Sequence, residues 1–341
     1  MKRKILLLLL AAIGVLMAAC QQVMPPVNQL EPSATVTDGT EPSTAPQIPT
    51  QMENTEPTQI PMVCYSDIPY GDHPLQTMDI YIPEGDPQAR YPVMLTIHGG
   101  EWKEGDKKDS QQYTAPVIAS NCIHVAINHR LLYNGISRDA ERPYEEMLDD
   151  IDAAFAFLVQ NAQAYQIDTT RAGIGGYSSG GHLALMYAYT RTQPPIPLKF
   201  VLSEAGSANF MDPKTFSEDG ETWLHEGHDG HEDIEVWPMM PWDYRLVLIG
   251  EIVGVHYCGP GWEEAWKQAS PAYVVTPDAP QTFLFYGTHD AMVPISHAEL
   301  LAQNHPNCTL YEVMDATHHL YSQPKDLESF QSWLQEILKN L

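Results

Sequence analysis

Gly176-Tyr177-Ser178-Ser179-Gly180-Gly181 joins a run that reads as a β-strand, 173–176, to a segment, 180–190, that is apolar on nearly every side and reads as a buried helix. Glycine two residues before and two residues after a serine permits a strand-to-helix turn that a Cβ would block. Such a turn lifts the Ser178 hydroxyl above the sheet and sets it at the positive end of a helix. Ser178 is therefore the candidate nucleophile.

Outward from this turn the chain alternates in texture. Strands are expected at 63–68 and 78–82 as an opening hairpin, then at 93–97, 123–128, 199–203, 282–286 and 309–313. Met147, Ile151, Ala154, Phe155, Leu158 and Ala162 recur at helical spacing, and 327–338 closes the chain as a helix. Strands alternating with helices predict an α/β fold with a mostly parallel central sheet and helices on both faces. Residues 204–270 break the rhythm. They are rich in Trp, Pro, Gly, His and acidic residues and read as a cap insertion over the carboxyl edge of the sheet, where ligands of such folds bind.

Three further motifs fall at that edge. His98-Gly99-Gly100-Glu101-Trp102 follows the strand 93–97. Paired glycines free the backbone N–H groups of Gly99 and Gly100 to face a developing oxyanion, with Ser179 N–H as a further donor. Glu101 is expected to act through its backbone, with its carboxylate turned away. Asp290, in Gly287-Thr288-His289-Asp290, follows the strand 282–286, and His318 and His319 follow the strand 309–313. Nucleophile, acid and base thus come in the order Ser178, Asp290, His318, with His319 the alternative base and Asp315 the alternative acid, read as a turn residue.

This combination resembles the α/β-hydrolase-fold carboxylesterases, on the bacterial feruloyl/acetyl-esterase-like and hormone-sensitive-lipase-like branch. Trp102-Lys103-Glu104-Gly105-Asp106-Lys107, Ile127-Asn128-His129-Arg130-Leu131 and Gly180-Gly181-His182-Leu183-Ala184 are similar to that branch as well. Glu101 stands where it often has Gly, Ser179 where it often has Ala, and His129 where Tyr is frequent. The resemblance implies a serine esterase for short-chain acyl or aryl esters, carbohydrate-linked ones among them, working through an acyl-enzyme and needing no cofactor or metal. Its partner is a small-molecule ester. A peptidase or amidase on the same three side chains, or a non-catalytic ligand-binding lipoprotein, is the alternative.

The chain has 341 residues, with 18 Lys+Arg against 44 Asp+Glu and a formal net charge of −26. That field excludes nucleic acid as a partner. Lys2, Arg3 and Lys4 precede an apolar run from Ile5 to Met17, too short to span a bilayer, and then Ala18-Ala19-Cys20. Residues 1–19 are expected to be a signal peptide and Cys20 a lipidation site, plain secretion being the alternative. The chain would then sit in the cell envelope, held to the membrane by lipid alone. Residues 20–62 form a linker; between 21 and 62 lie eight Pro and seven Thr with no aromatic residue, Lys or Arg, so a disordered tether is expected. The catalytic domain would run from 63 to 341.

Two clusters stand apart from these motifs. His225, His228 and His231 lie among Glu226, Asp229, Glu232 and Asp233, and read as a solvated acidic lid rather than a metal site. Trp223, Trp237, Trp242, Trp262 and Trp266 crowd the insertion, as cap core or pocket lining. His182 reads as a packing residue. Cys64, Cys122, Cys258 and Cys308 permit disulfides in an exported protein, without a pairing that spacing can choose.

Overall fold

Val93, Leu95 and Ile97 point to one side of the strand Tyr91–Ile97 and Met94 to the other, and all four are fully buried. A strand buried on both faces belongs in the middle of a covered, parallel sheet. The same alternation recurs in Leu198–Glu204, where Val201 joins one core and Phe200 and Leu202 the other. In Gln281–Gly287, Leu284 and Tyr286 oppose Phe283 and Phe285. Two hydrophobic layers therefore sandwich one sheet.

The computed structural model describes residues 61–341 apart from 138, 217–241, 322–323 and 340. The chain divides into two units, Met1–Glu56 and Pro57–Leu341, and the sheet with all its helices belongs to the second. The principal sheet has eight strands: β1 (Met62–Pro69), β2 (Thr77–Pro83), β3 (Tyr91–Ile97), β4 (Ile123–Ile127), β5 (Ile167–Tyr177), β6 (Leu198–Glu204), β7 (Gln281–Gly287) and β8 (Cys308–Val313). They lie in the order β1-β2-β4-β3-β5-β6-β7-β8. The β1–β2 and β2–β4 pairs are antiparallel and all the others parallel. The mostly parallel sheet expected from the sequence is present, with every expected strand in it.

One core layer holds α2 (Pro143–Gln160) and α3 (Ser179–Thr190). Met147, Leu148, Ile151, Ala154, Phe155 and Leu158 form the buried stripe of α2. An ion pair fixes this helix to the loop after β4. Arg130 Nη2 lies 2.8 Å from the buried Asp150 carboxylate, which also accepts from Arg130 N at 2.7 Å and Gln76 Nε2 at 2.7 Å. The opposite layer holds α1 (Thr114–Ala119) and α7 (Pro324–Leu338), which bury Val117, Phe330 and Leu334. Further helices are α4 (Trp242–Val253), α5 (Trp262–Gln268) and α6 (Ser296–Asn304).

Register sets the working edge. Ile97 pairs with Ile127 and Gly176, Tyr177 with Glu204, and Val313 with Gly287. The carboxyl ends of β3, β5, β6, β7 and β8 therefore open onto one rim of the sheet, the place where a parallel sheet holds ligands.

Candidate active site

The turn after β5 is tight for a steric reason. A Cβ on Gly176 would lie 2.5 Å from the carbonyl of Gly180, and one on Gly180 would lie 2.3 Å from Ile97 O. Only glycine at both positions lets the start of α3 nest against the end of β3. Ser178, between them, takes φ 54° and ψ −121°, a conformation that costs a non-glycine residue about 1–3 kcal/mol. Its N–H donates to Glu204 O at 2.8 Å, and its carbonyl accepts from His182 N at 3.0 Å, so the strained residue is pinned from both sides.

Glu204 itself is fully buried at the end of β6, with Tyr113 Oη donating to its Oε1. Burial pushes its carboxyl up to about 8. The folded chain thus keeps a proton that an unfolded Glu loses near its ordinary value. Between that value and about pH 8 the folded state binds more protons, and stability falls as pH rises; above pH 8 the effect levels off. Glu204→Gln should remove this dependence. Urea melts at pH 5 and pH 8 are expected to show the variant gaining on the native chain at the higher pH, by an amount on the order of a few kcal/mol. An equal difference at both pH values would refute a neutral buried acid.

Asp290 and His318 meet because the loops after β7 and β8 are bonded to each other. Thr288 N donates to Val313 O at 3.1 Å and His289 N to Ala316 O at 2.9 Å, and a Cβ on Gly287 would strike Ala316 O at 2.3 Å. The Asp290 side chain is completely buried. Its Oδ1 accepts from Met292 N at 2.8 Å and Val293 N at 2.9 Å, while Oδ2 lies 2.8 Å from His318 Nδ1. A carboxylate can only accept there, so the ring proton sits on Nδ1. His318 Nε2 is left to accept from Ser178 Oγ, 3.0 Å away. Tyr177 steadies the imidazole by donating from Oη to His318 O at 3.0 Å and packing its ring 5.2 Å from the histidine ring.

The structure thus brings Ser178, Asp290 and His318 into one relay. It does not bring His319 or Asp315 there. His319 is exposed and lines a separate cavity, and Asp315 is an exposed turn residue at φ 59° whose N–H donates to Thr288 Oγ1.

The His98-Gly99-Gly100 loop lies against the same serine. A Cβ on Gly99 would approach Ser178 Cβ to 3.2 Å and the Tyr177 carbonyl to 3.1 Å. Gly100, Glu101 and Trp102 all have positive φ, at 112°, 55° and 60°, and Gly100 O accepts from both Lys103 N and Glu104 N at 3.0 Å. His98 Nδ1 donates to Gly99 O at 2.7 Å, and its ring stacks on His129 at 4.8 Å. Burial lowers both imidazoles, His129 to about 3, so the loop rests on two neutral rings. Ser179 N–H belongs to the first turn of α3, where amides have no partner within the helix. His182 is a packing residue: fully buried, it accepts from Trp102 Nε1 at 3.2 Å and donates from Nε2 to Ala269 O at 2.9 Å, with burial lowering it to about 4.

Beside Ser178 opens a cavity of about 70 Å³. Its lining is mostly apolar, with Trp102, Phe210, Leu248, Ile249, Met292 and Val293. Leu248 and Ile249 come from α4, so the described part of the 204–270 segment reaches the serine. Glu101 does not turn away as its charge suggested. It lines the cavity because its carboxylate finds partners there: Lys103 Nζ at 2.6 Å and Tyr244 Oη at 2.6 Å, with Lys103 also 4.4 Å from the Tyr244 ring centre. The sequence held no signal for this contact, which spans 143 positions.

Residues 1–60, and with them the expected leader, Cys20 and all but the end of the linker, lie outside the described residues. So do His225, His228, His231, Trp223 and Trp237. Among the described residues no three His, Cys, Asp or Glu side chains converge as a metal site. Cys64, Cys122, Cys258 and Cys308 are free thiols in this structure, and burial raises Cys122 and Cys308 to about 12.

Comparison with known proteins finds similarity in sequence and in fold. The family model BD-FAE matches residues 78–214, from β2 past the end of β6. Esterase LipC of Mycobacterium tuberculosis is 22% identical over 230 residues, covering 67% of this chain and 52% of LipC. Esterase LipQ of the same organism is 28% identical over 232 residues, covering 67% of this chain and 49% of LipQ. A solved structure described as a truncated form of carbohydrate esterase from gut microbiota superposes with a TM-score of 0.62 at 18% identity, over 83% of this chain and 99% of that one. The fold is the α/β-hydrolase fold. The chain spans about half the length of the curated relatives it matches. The strands and loops that carry Ser178 and Gly99 fall inside the BD-FAE match, whereas Asp290 and His318 lie beyond it.

Proposed function

We propose that this α/β-hydrolase is a serine carboxylic ester hydrolase. The observation that carries the reading is the continuous relay from Asp290 Oδ2 to His318 Nδ1 at 2.8 Å and from His318 Nε2 to Ser178 Oγ at 3.0 Å. Ser178 Oγ attacks the ester carbonyl carbon and passes its proton to His318 Nε2. Asp290 holds the imidazole in the accepting tautomer and balances the imidazolium charge. Backbone N–H groups of Gly99, Gly100 and Ser179 receive the oxyanion. His318 then gives the proton to the departing alcohol, and water, deprotonated in turn by His318, releases the acid from the acyl-enzyme.

The mostly apolar lining beside Ser178 supports a short-chain acyl or aryl group as the part of the ester bound there. The carbohydrate esterase among the structural relatives supports a sugar as the alcohol. From the 204–270 segment, Phe210 and the α4 residues Leu248 and Ile249 line this pocket, which supports a cap role for the described part of that segment. The leader, lipidation at Cys20 and the 20–62 tether hold the enzyme at the outer face of a membrane in the cell envelope.

A fluorophosphonate probe tests the nucleophile directly, and Ser178 is expected to carry the label in peptide mapping. Matched p-nitrophenyl butyrate and p-nitroanilide butyrate test the reaction, with the ester turned over and the anilide scarcely. Folded protein that neither takes the label nor hydrolyses the ester would overturn the proposal; faster anilide cleavage would make it an amidase.

A further inference from the structure

The cavity beside Ser178 is mostly apolar, yet Arg245 of α4 places a guanidinium in its wall. Charges in such surroundings are costly unless paired. Arg245 is half-buried, and among the described residues its partners are few. Its Nη1 reaches Ala291 O only at 3.5 Å, its Nε is buried without a hydrogen-bond partner, and no carboxylate of the described residues lies within 4.0 Å. Burial lowers the guanidinium from its ordinary value, and only the more distant Asp212 offsets this. Arginine nonetheless stays charged at any pH at which the protein works.

The acidic groups around it are engaged elsewhere. Glu101 is held by Lys103 and Tyr244, and Asp290 by His318 and two amides. Asp212 is buried and accepts from Lys214 N at 2.9 Å. The cavity adds a neutral donor of its own. His297 Nδ1 accepts from Ala208 N and Asn209 N, each at 3.2 Å, which puts the ring proton on Nε2 at the opposite edge. The pocket therefore contains a cation for which the described residues supply no carboxylate partner, within the cleft that holds the reacting serine.

We propose that the substrate is an ester carrying a carboxylate close to its scissile bond, and that Arg245 binds that carboxylate. The proposal rests on the hydrolase reading above and narrows it. A planar carboxylate matches the guanidinium fork. A single negative charge suits the site better than a phosphate dianion, because Glu101 lines the same pocket and Asp212 already acts on the guanidinium. The overall charge of −26 repels anions at long range, so such a substrate needs a local cation to bind at all.

Two nearly isosteric pairs test this: monoethyl glutarate against ethyl 5-methylhexanoate, with the charge on the acyl side, and 4-acetoxybutyrate against 4-methylpentyl acetate, with the charge on the alcohol side. In at least one pair the anionic ester is expected to have a kcat/KM about tenfold or more above the neutral one. Arg245→Gln should lower that ratio about tenfold, Arg245→Lys should retain part of it, and added salt should reduce it in the native chain. Ratios at or below one in both pairs overturn the proposal on the native chain alone, whether or not the variants fold. So does a preference that survives Arg245→Gln unchanged. If no ester is turned over and Ser178 takes no label, the hydrolase reading fails instead. Calorimetry of glutarate on Ser178→Ala and on Ser178→Ala/Arg245→Gln then decides separately: binding lost with Arg245 supports the site, and no binding to either refutes it.

Discussion

Ser178→Ala is expected to lower kcat for p-nitrophenyl butyrate on the order of 10⁶-fold while leaving the melting temperature unchanged. Alanine keeps a Cβ, so the positive φ of 54° and its local strain persist in the variant. The backbone bonds from Ser178 N to Glu204 O and from His182 N to Ser178 O do not involve the hydroxyl. The substitution therefore removes one atom, Oγ, and the bond it makes to His318 Nε2 at 3.0 Å. Loss of rate without loss of stability isolates the chemical role of that oxygen. The variant should also fail to take up a fluorophosphonate. Full turnover by a correctly folded Ser178→Ala protein would mean that another group attacks the ester.

What the sequence disclosed is local, and what it hid is distant. The strands are legible because a parallel sheet buries both faces of its central members, leaving unbroken apolar runs such as Val93–Ile97. The Ser178 turn is legible because its glycines answer a steric demand made within a few residues. His318 was the expected base with His319 the alternative, and it is His318 that the structure sets between Asp290 and Ser178; the Tyr177 bond to His318 O, 141 positions away, had no local signal. The 3₁₀ segment Lys107–Tyr113, α1 and α6 escaped notice for another reason. They are short, with few apolar positions to show a period, although Asp106 and Asp109 do form a reciprocal cap in the first of them. Arg245 and the Glu101–Lys103–Tyr244 cluster were hidden because they join the loops after β7 and β3, respectively, to an insertion without regular patterning. Nothing local in either segment announces the other.

Asp290→Asn is the second large effect, and it separates orientation from mere proximity. The amide is nearly isosteric, and its oxygen can still accept from Met292 N and Val293 N, which now bond Asp290 Oδ1 at 2.8 and 2.9 Å. That leaves an NH₂ group where Oδ2 stood, 2.8 Å from His318 Nδ1. Two donors cannot face each other, so Nδ1 gives up its proton and accepts from the amide. The proton moves to Nε2, which then points a donor at Ser178 Oγ and can no longer act as its base. The loss expected in kcat is about 10⁴-fold, with substrate KM little changed, because the pocket that holds the ester is untouched. The side chain is completely buried, so stability should be measured beside the rate; near-native melting with a collapsed kcat identifies the tautomer as the cause. A variant that keeps most of its rate would show that some other group orients His318, and Asp290 would then be no more than a structural link between the loops after β7 and β8.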